Sequence, residues 1–178
     1  MRLWLFLLAI LSAPAFAADP PAVAIDPGKI GATQVVGLFL KACVNFSGDK
    51  AGLREWAART GLVQLPASAT DAFLYGLPGV VFDATAQRAK LVLISEDGGS
   101  CSAVAEIADG AAVIDELERA LKASQIALNM TRDAGDAKEA ALRHREYTAS
   151  AGKRQWQMLV STVQAPGGGS AMLTVNPG

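Results

Sequence analysis

Few residues in this chain have the types and spacing that chemistry needs. Gly98-Gly99-Ser100-Cys101-Ser102 carries part of the G-x-S-x-G pattern, which presents a nucleophilic serine on a sharp strand-to-helix turn. Its last glycine is missing and the residues after it read as a strand, so the serine has no helix to turn into. Ser150-Ala151-Gly152-Lys153 has the S-x-x-K spacing that brings a lysine amine to a serine across one helical turn. Gly152 favours a hairpin turn there, and no S-D-N or K-T-G element accompanies it. His144 is the only histidine, and imidazole is the side chain best suited to proton transfer near neutral pH. Its neighbours Arg143, Arg145 and Glu146 read as the solvated face of a strand. Together these residues define an alternative reading of the chain, a small hydrolase with a Ser/His or Ser/Lys site.

The two cysteines, Cys43 and Cys101, carry a different chemistry. An even count in an exported chain reads as a disulfide. Closing the long loop between them contributes roughly 4 kcal/mol on the chain-entropy model. The competing reading is a reactive Cys101 thiol paired with His144, but the pair lacks C-x-x-C spacing and so has no redox signature. Two cysteines and one histidine do not complete a closed zinc set either. Asp133, Asp136 and Glu139 cluster as a calcium site would, without the alternation that aims oxygens at one point. No metal or cofactor is expected.

Two stretches are candidate binding surfaces. Arg143, Arg145 and Arg154 form a cationic strip across a hairpin, suited to an anionic ligand or an acidic partner, with Trp156 beside it between two glutamines. A solvent-facing Trp156 would mark a binding surface, and an inward one would pack the core. The second stretch is the loop Phe73-Leu74-Tyr75-Gly76-Leu77-Pro78-Gly79, where Tyr75, Leu77 and Pro78 are the contact candidates.

The elements that must position these residues follow from periodicity. Val35 or Val36, Phe39, Leu40 and Cys43 fall on one helical face from Thr33 onward. Gly37 weakens that helix by about 1 kcal/mol relative to alanine, or admits a close neighbour. Asp49 caps a second helix with a stripe of Leu53, Trp56 and Ala57, and Gly61 closes it. A connector follows, then a short helix carrying Phe73 and Leu74. The Leu77-Pro78-Gly79 turn ends that helix, because proline cannot continue it and glycine supplies positive φ. The period then drops toward two. Strands are expected over 80–82, 90–95 and 101–107, with Cys101, Ala103, Ala105 and Ile107 sharing a face. Asp109 caps a fourth helix that buries Val113, Ile114, Leu117 and Leu121. Strands over 126–132, 142–149, 155–163 and 171–175 complete a meander, with turns at 133–136, 150–153 and 166–169. The expected fold is α+β, with N-terminal helices packed on one face of a mostly antiparallel sheet and a C-terminal β-meander. No internal repeat is visible in the sequence.

The compartment comes from the N-terminus. Met1-Arg2, the apolar run from Leu3 to Leu11, and Ala15-Phe16-Ala17 have the layout of a secretory signal peptide. The run is far short of the roughly 20 residues that span a bilayer. The expected organisation is a signal peptide over 1–17, a flexible lead-in over 18–32 and a single domain over 33–178. Formal net charge is −1 with no basic run, which argues against nucleic acid and anionic membrane as partners. The abundance of Ala and Gly points to a bacterial export product, periplasmic or secreted. The helix with one cysteine, Trp56-Ala57, the loop from Phe73 to Gly79, and the second cysteine after a Gly-rich turn resemble small exported and lipidated proteins of Proteobacteria. The likeness spans about Val35 to Val104, and this chain differs from the lipidated members in lacking a leader cysteine. It implies a two-cysteine exported module and carries over no activity or site residues. The expectation is a non-enzymatic module that binds another envelope protein or a small ligand, as a secretion or conjugation accessory factor or as an inhibitor.

Overall fold

The structure is a computed structural model that describes residues 26–86, 88–165 and 168–177. The expected signal peptide and most of the lead-in lie outside these residues. Helix α1 (Pro27–Phe39) begins well before Thr33. The Asp26 carboxylate accepts from the Gly28 and Lys29 N–H groups, and Pro27 opens the first turn. The Asp-Pro-Gly composition that suggests a loose lead-in is therefore a helix start. Gly31 sets how closely α1 sits on the sheet, since a Cβ there would lie 1.8 Å from the Ile107 carbonyl oxygen. Gly37, by contrast, has no neighbour that its missing side chain makes room for.

The helix continues as a π-helical turn, Leu40–Val44, which holds Cys43. Helix α2 (Lys50–Arg59) is capped by Asp49 and followed by Gly61 at φ 80°, as its sequence signals. The connector after it contains a two-residue strand, β1 (Val63–Gln64). Helix α3 (Ala67–Leu74) ends at Tyr75, which takes the left-handed conformation at φ 49°. Strands β2 (Gly79–Asp83), β3 (Leu91–Glu96) and β4 (Cys101–Ala108) follow. Helix α4 (Gly110–Ala123), capped by Asp109, leads into the meander β5 (Ala127–Gly135), β6 (Leu142–Ala151), β7 (Arg154–Val163) and β8 (Gly169–Pro177). Strand β5 runs through the expected 133–136 turn, and the chain reverses only beyond Gly135.

The eight strands form one antiparallel sheet in the order β1-β2-β3-β4-β8-β7-β6-β5. The chain crosses from β4 through α4 to the far edge and meanders back until β8 pairs with β4. Two four-stranded meanders thus meet at the β4–β8 seam, an organisation no sequence repeat announces.

Helices α1, α2 and α4 cover one face of the sheet. There Val35, Phe39, Leu93, Ala103, Leu117, Val160 and Leu173 are fully buried. Strand side chains alternate between faces, so Val81 and Ile94 point away from that core. They pack with Leu74 and Phe73 of α3 on the opposite face. The expectation of all helices on one face is corrected by α3. The register of β4 slips between Ala105 and Ala108, so Ala108 is buried and Ile107 turns outward at 46% exposure. Ile107 therefore leaves the face it was expected to share with Cys101.

Cys43 and Cys101 are bonded, with Cα atoms 5.2 Å apart and a sequence separation of 58. The bond ties the first helical segment to the start of β4, deep in the core. The Arg54 guanidinium of α2 reinforces this corner by donating to the Ser95 hydroxyl and to Asp97. Among the described residues, no helix is long and apolar enough to cross a membrane.

Candidate functional site: a groove beside the β5 edge

Strand β5 is the one long edge of the sheet. The opposite edge, β1, has two residues, whereas β5 has nine and, among the described residues, pairs only with β6. Leu128 and Met130 lie opposite Ala149 and Tyr147, on the helix-covered face. A bulge then leaves Thr131 unmatched, because pairing resumes with Arg132 opposite Glu146. Helix α4 covers the centre of this meander and leaves its edge open. The result is a groove of about 570 Å³ between α4 and β5, lined by Glu118, Lys122, Ile126, Leu128, Met130 and Tyr147, with Arg145 at one end. Met130 is 52% exposed.

Beyond Arg145 the groove meets a smaller cleft of about 150 Å³, flanked by Arg143, Asp115, Thr162 and Gln164. Arg143 donates from Nε and Nη2 to the two Asp133 oxygens at 2.6 and 2.9 Å. Arg145 Nε donates to Asp133 Oδ2 at 2.9 Å. The hydrogen bond from Arg143, with the charge of Arg145 behind it, holds the Asp133 carboxyl below the ordinary carboxylate range. Arg145 Nη1 lies 3.6 Å from Glu118 Oε1, which already accepts from the Tyr147 hydroxyl at 2.8 Å. Burial, followed by the Glu118 bond, pushes the Tyr147 phenol up to about 12. Lys122 has no ion-pair partner among the described residues. The groove thus presents fixed donors, one uncompensated ammonium and an apolar floor.

The expected site residues separate. Arg143 and Arg145 are brought together, but both are paired to Asp133, so they are not a free cationic strip. Arg154 sits at the far end of the hairpin, opposite Ala151. Trp156 is 6% exposed and belongs to the core, which removes it from any surface. Tyr75 and Leu77 are 86% and 54% exposed, and Pro78 is exposed beside them. That loop is pinned to the β3–β4 turn, where the Asp97 N–H donates to the Pro78 carbonyl at 2.8 Å. It lies five strands from β6, or about 24 Å at the usual strand spacing. The loop and the arginines are separate surfaces.

The candidate nucleophiles also separate. Ser100 pairs with Asn176 at 2.7 Å, and Ser150 stands on β6 opposite Ala127. His144 meets neither of them. Its Nδ1 lies 2.8 Å from the Ser161 hydroxyl, and its Nε2 lies 3.8 Å from Asp136 Oδ2. Ser161 is 9% exposed in the middle of β7, between β6 and β8. Strand N–H groups on both sides of it serve the ladder, so none is placed to stabilise an oxyanion. Asp136 caps its own turn by accepting from the Lys138 and Glu139 N–H groups. The Asp133, Asp136 and Glu139 carboxylates therefore do not converge on one point.

Sequence reasoning missed Glu118, Lys122, Leu128, Met130 and Ser161. Two weak signals were available. Glu118 and Lys122 stand at i,i+4 on α4, and Leu128-Asn129-Met130 alternates as a half-covered strand does. Neither protein-family models nor curated proteins give a match to this chain.

Proposed function

We propose that this chain is a non-enzymatic binding module of the bacterial envelope, exported to the periplasm or secreted. It holds another envelope protein or a small ligand, as an accessory factor of a secretion or conjugation apparatus or as an inhibitor. The observation that carries this reading is the open groove beside the first half of β5, a strand whose outer edge has no partner among the described residues. Exposed edges invite pairing with another chain, and proteins normally shorten or cover them. The disulfide fits an oxidising compartment. The likeness of the two-cysteine segment to small exported proteins of Proteobacteria agrees with that. The exposed loop of Tyr75, Leu77 and Pro78 is a second contact surface, able to reach the same partner or another.

Capture of a partner from periplasmic extract tests the reading. Wild type and the variants His144→Ala and Ser150→Ala should retain the partner, while Met130→Glu should lose it. Equal capture by wild type and Met130→Glu removes the groove from the account.

The alternative is a small hydrolase. The contact between His144 and Ser161 favours it, and the lack of oxyanion donors opposes it. Hydrolysis of p-nitrophenyl acetate by the wild type that disappears in Ser161→Ala would establish this alternative.

A further inference from the structure

We infer that the groove takes an extended, acidic polypeptide segment that adds as a strand to the Ala127–Met130 stretch of β5. This rests on the reading of the groove as the binding surface, and it names the ligand class.

Three observations converge on it. The first is the backbone. Before the Thr131 bulge, β5 runs in regular register with β6, so its outer row of N–H and C=O groups can accept a ladder about four residues long. The bulge then ends regular pairing, which sets the length of the added strand. The second is the floor. Leu128 and Met130 project onto the helix-covered face beside Ile126 and Tyr147. Alternate side chains of an added strand lie on that same face and descend into the groove against α4, so apolar residues at every second position fit. The third is charge. Arg145 is already bound to Asp133 and lies 3.6 Å from Glu118, which leaves the Lys122 ammonium of the groove with no ion-pair partner among the described residues. A carboxylate at one groove-facing position of the incoming strand meets the unpaired Lys122.

A second copy of this chain fits less well. Pairing β5 with itself across a dyad must keep helix-facing residues together. Within the regular stretch a register that does so centres on Asn129 and sets Leu128 opposite Met130, but no residue of 127–131 brings a carboxylate to Lys122. A free small anion satisfies Lys122 but leaves the apolar floor and the edge unused.

The test uses the full chain with three probes: an alternating valine–threonine octapeptide with glutamate replacing one groove-facing valine, the same peptide with lysine at that position, and the first peptide N-methylated at alternate residues. The expected result is amide shift changes at 127–131 in NMR titration. The glutamate peptide should bind about tenfold more tightly than the lysine peptide, and N-methylation should abolish binding. Lys122→Glu should erase the preference for glutamate. Met130→Glu should abolish binding with an unchanged far-UV spectrum, since this exposed position tolerates the change. Shifts centred elsewhere, equal affinity for the two charge types, or indifference to N-methylation each overturn the inference. So does a sedimentation dimer that Met130→Glu dissociates, which makes the occupant a second copy. If Met130→Glu loses a captured envelope partner but no peptide binds, the strand assignment falls while the groove reading stands.

Discussion

The two halves of the sheet are built on different principles. Strands β2–β4 are covered on both faces, by α1 and α2 on one side and by α3 on the other. The disulfide and the Arg54–Asp97 corner lock that half. Among the described residues, strands β5–β7 are covered only on the α4 side. Their other face carries His144, Glu146, Thr148, Gln157 and Ser161, and their edge is open. The sequences follow suit. Leu91-Val92-Leu93-Ile94 is apolar without alternation, as a strand buried on both faces must be. Gln155-Trp156-Gln157-Met158 alternates, as a strand with one wet face does. The first half is a scaffold, and the second keeps a surface free.

The largest expected effect breaks the scaffold. Replacing both Cys43 and Cys101 by alanine should lower stability by about 4 kcal/mol in urea unfolding, because the denatured chain regains the freedom of a long loop. A loss below about 1 kcal/mol would show that packing alone holds the helical third to β4.

The contrast itself is sharpened on one sheet face. Ile94 is 4% exposed under α3, and Leu159 is only half-buried on the open half. Ile94→Ala should cost about 3 kcal/mol and Leu159→Ala about 1 kcal/mol. Equal costs would mean that the open face is covered in solution. Gly31→Ala should destabilise by about 2 kcal/mol, since its methyl group collides with the Ile107 carbonyl. The same change at Gly37, where nothing is close, should be neutral or slightly stabilising in the same assay.

A smaller effect comes from the groove. The Tyr147 phenol is raised in the folded state to about 12, from about 10 in the unfolded chain. The folded state therefore favours the neutral phenol. Its contribution is fully present below pH ~10 and is lost as pH rises toward ~12. Tyr147→Phe should abolish this loss and cost about 1 kcal/mol at neutral pH through the missing bond to Glu118. Thermal melts from pH 8 to 11 would measure it. The smallest effect is acidic. Asp133 is depressed by Arg143, so its contribution is present above the ordinary aspartate pKa and fades as pH falls through its folded value. Carboxyl NMR titration should place it below the ordinary aspartate range.

Most of the fold is legible in the chain because its signals are local. Asp49, Asp109 and Gly61 mark helix ends by hydrogen bonds made within a few residues. The Pro78-Gly79 turn and the alternation over 142–163 mark the strands equally locally. The 142–149 segment has strong helix propensity in part, yet the turns on either side and the alternation decided for a strand, and β6 is one. The failures have non-local causes. The start of α1 was masked by a composition that usually signals a loop. Ile107 is displaced by a bulge set by pairing with β8. Trp156, flanked by glutamines, gave no sign of facing the core rather than solvent.

The site was less legible than the fold. Arg143 and Arg145 were recognised as neighbours, but their neutralisation by Asp133 depends on the β5–β6 register. Glu118, Lys122 and Met130 come from two elements that only folding places side by side. The chain alone dictates the element types and the α+β class, because capping, turn chemistry and periodicity act within a few residues. It also limited the pairing of its two cysteines to one choice. The tertiary structure decided which face α3 covers, which strand is left as an edge, and which charges remain unpaired. Those outcomes depend on strand order and register, and the crossing of α4 to the far edge sets both.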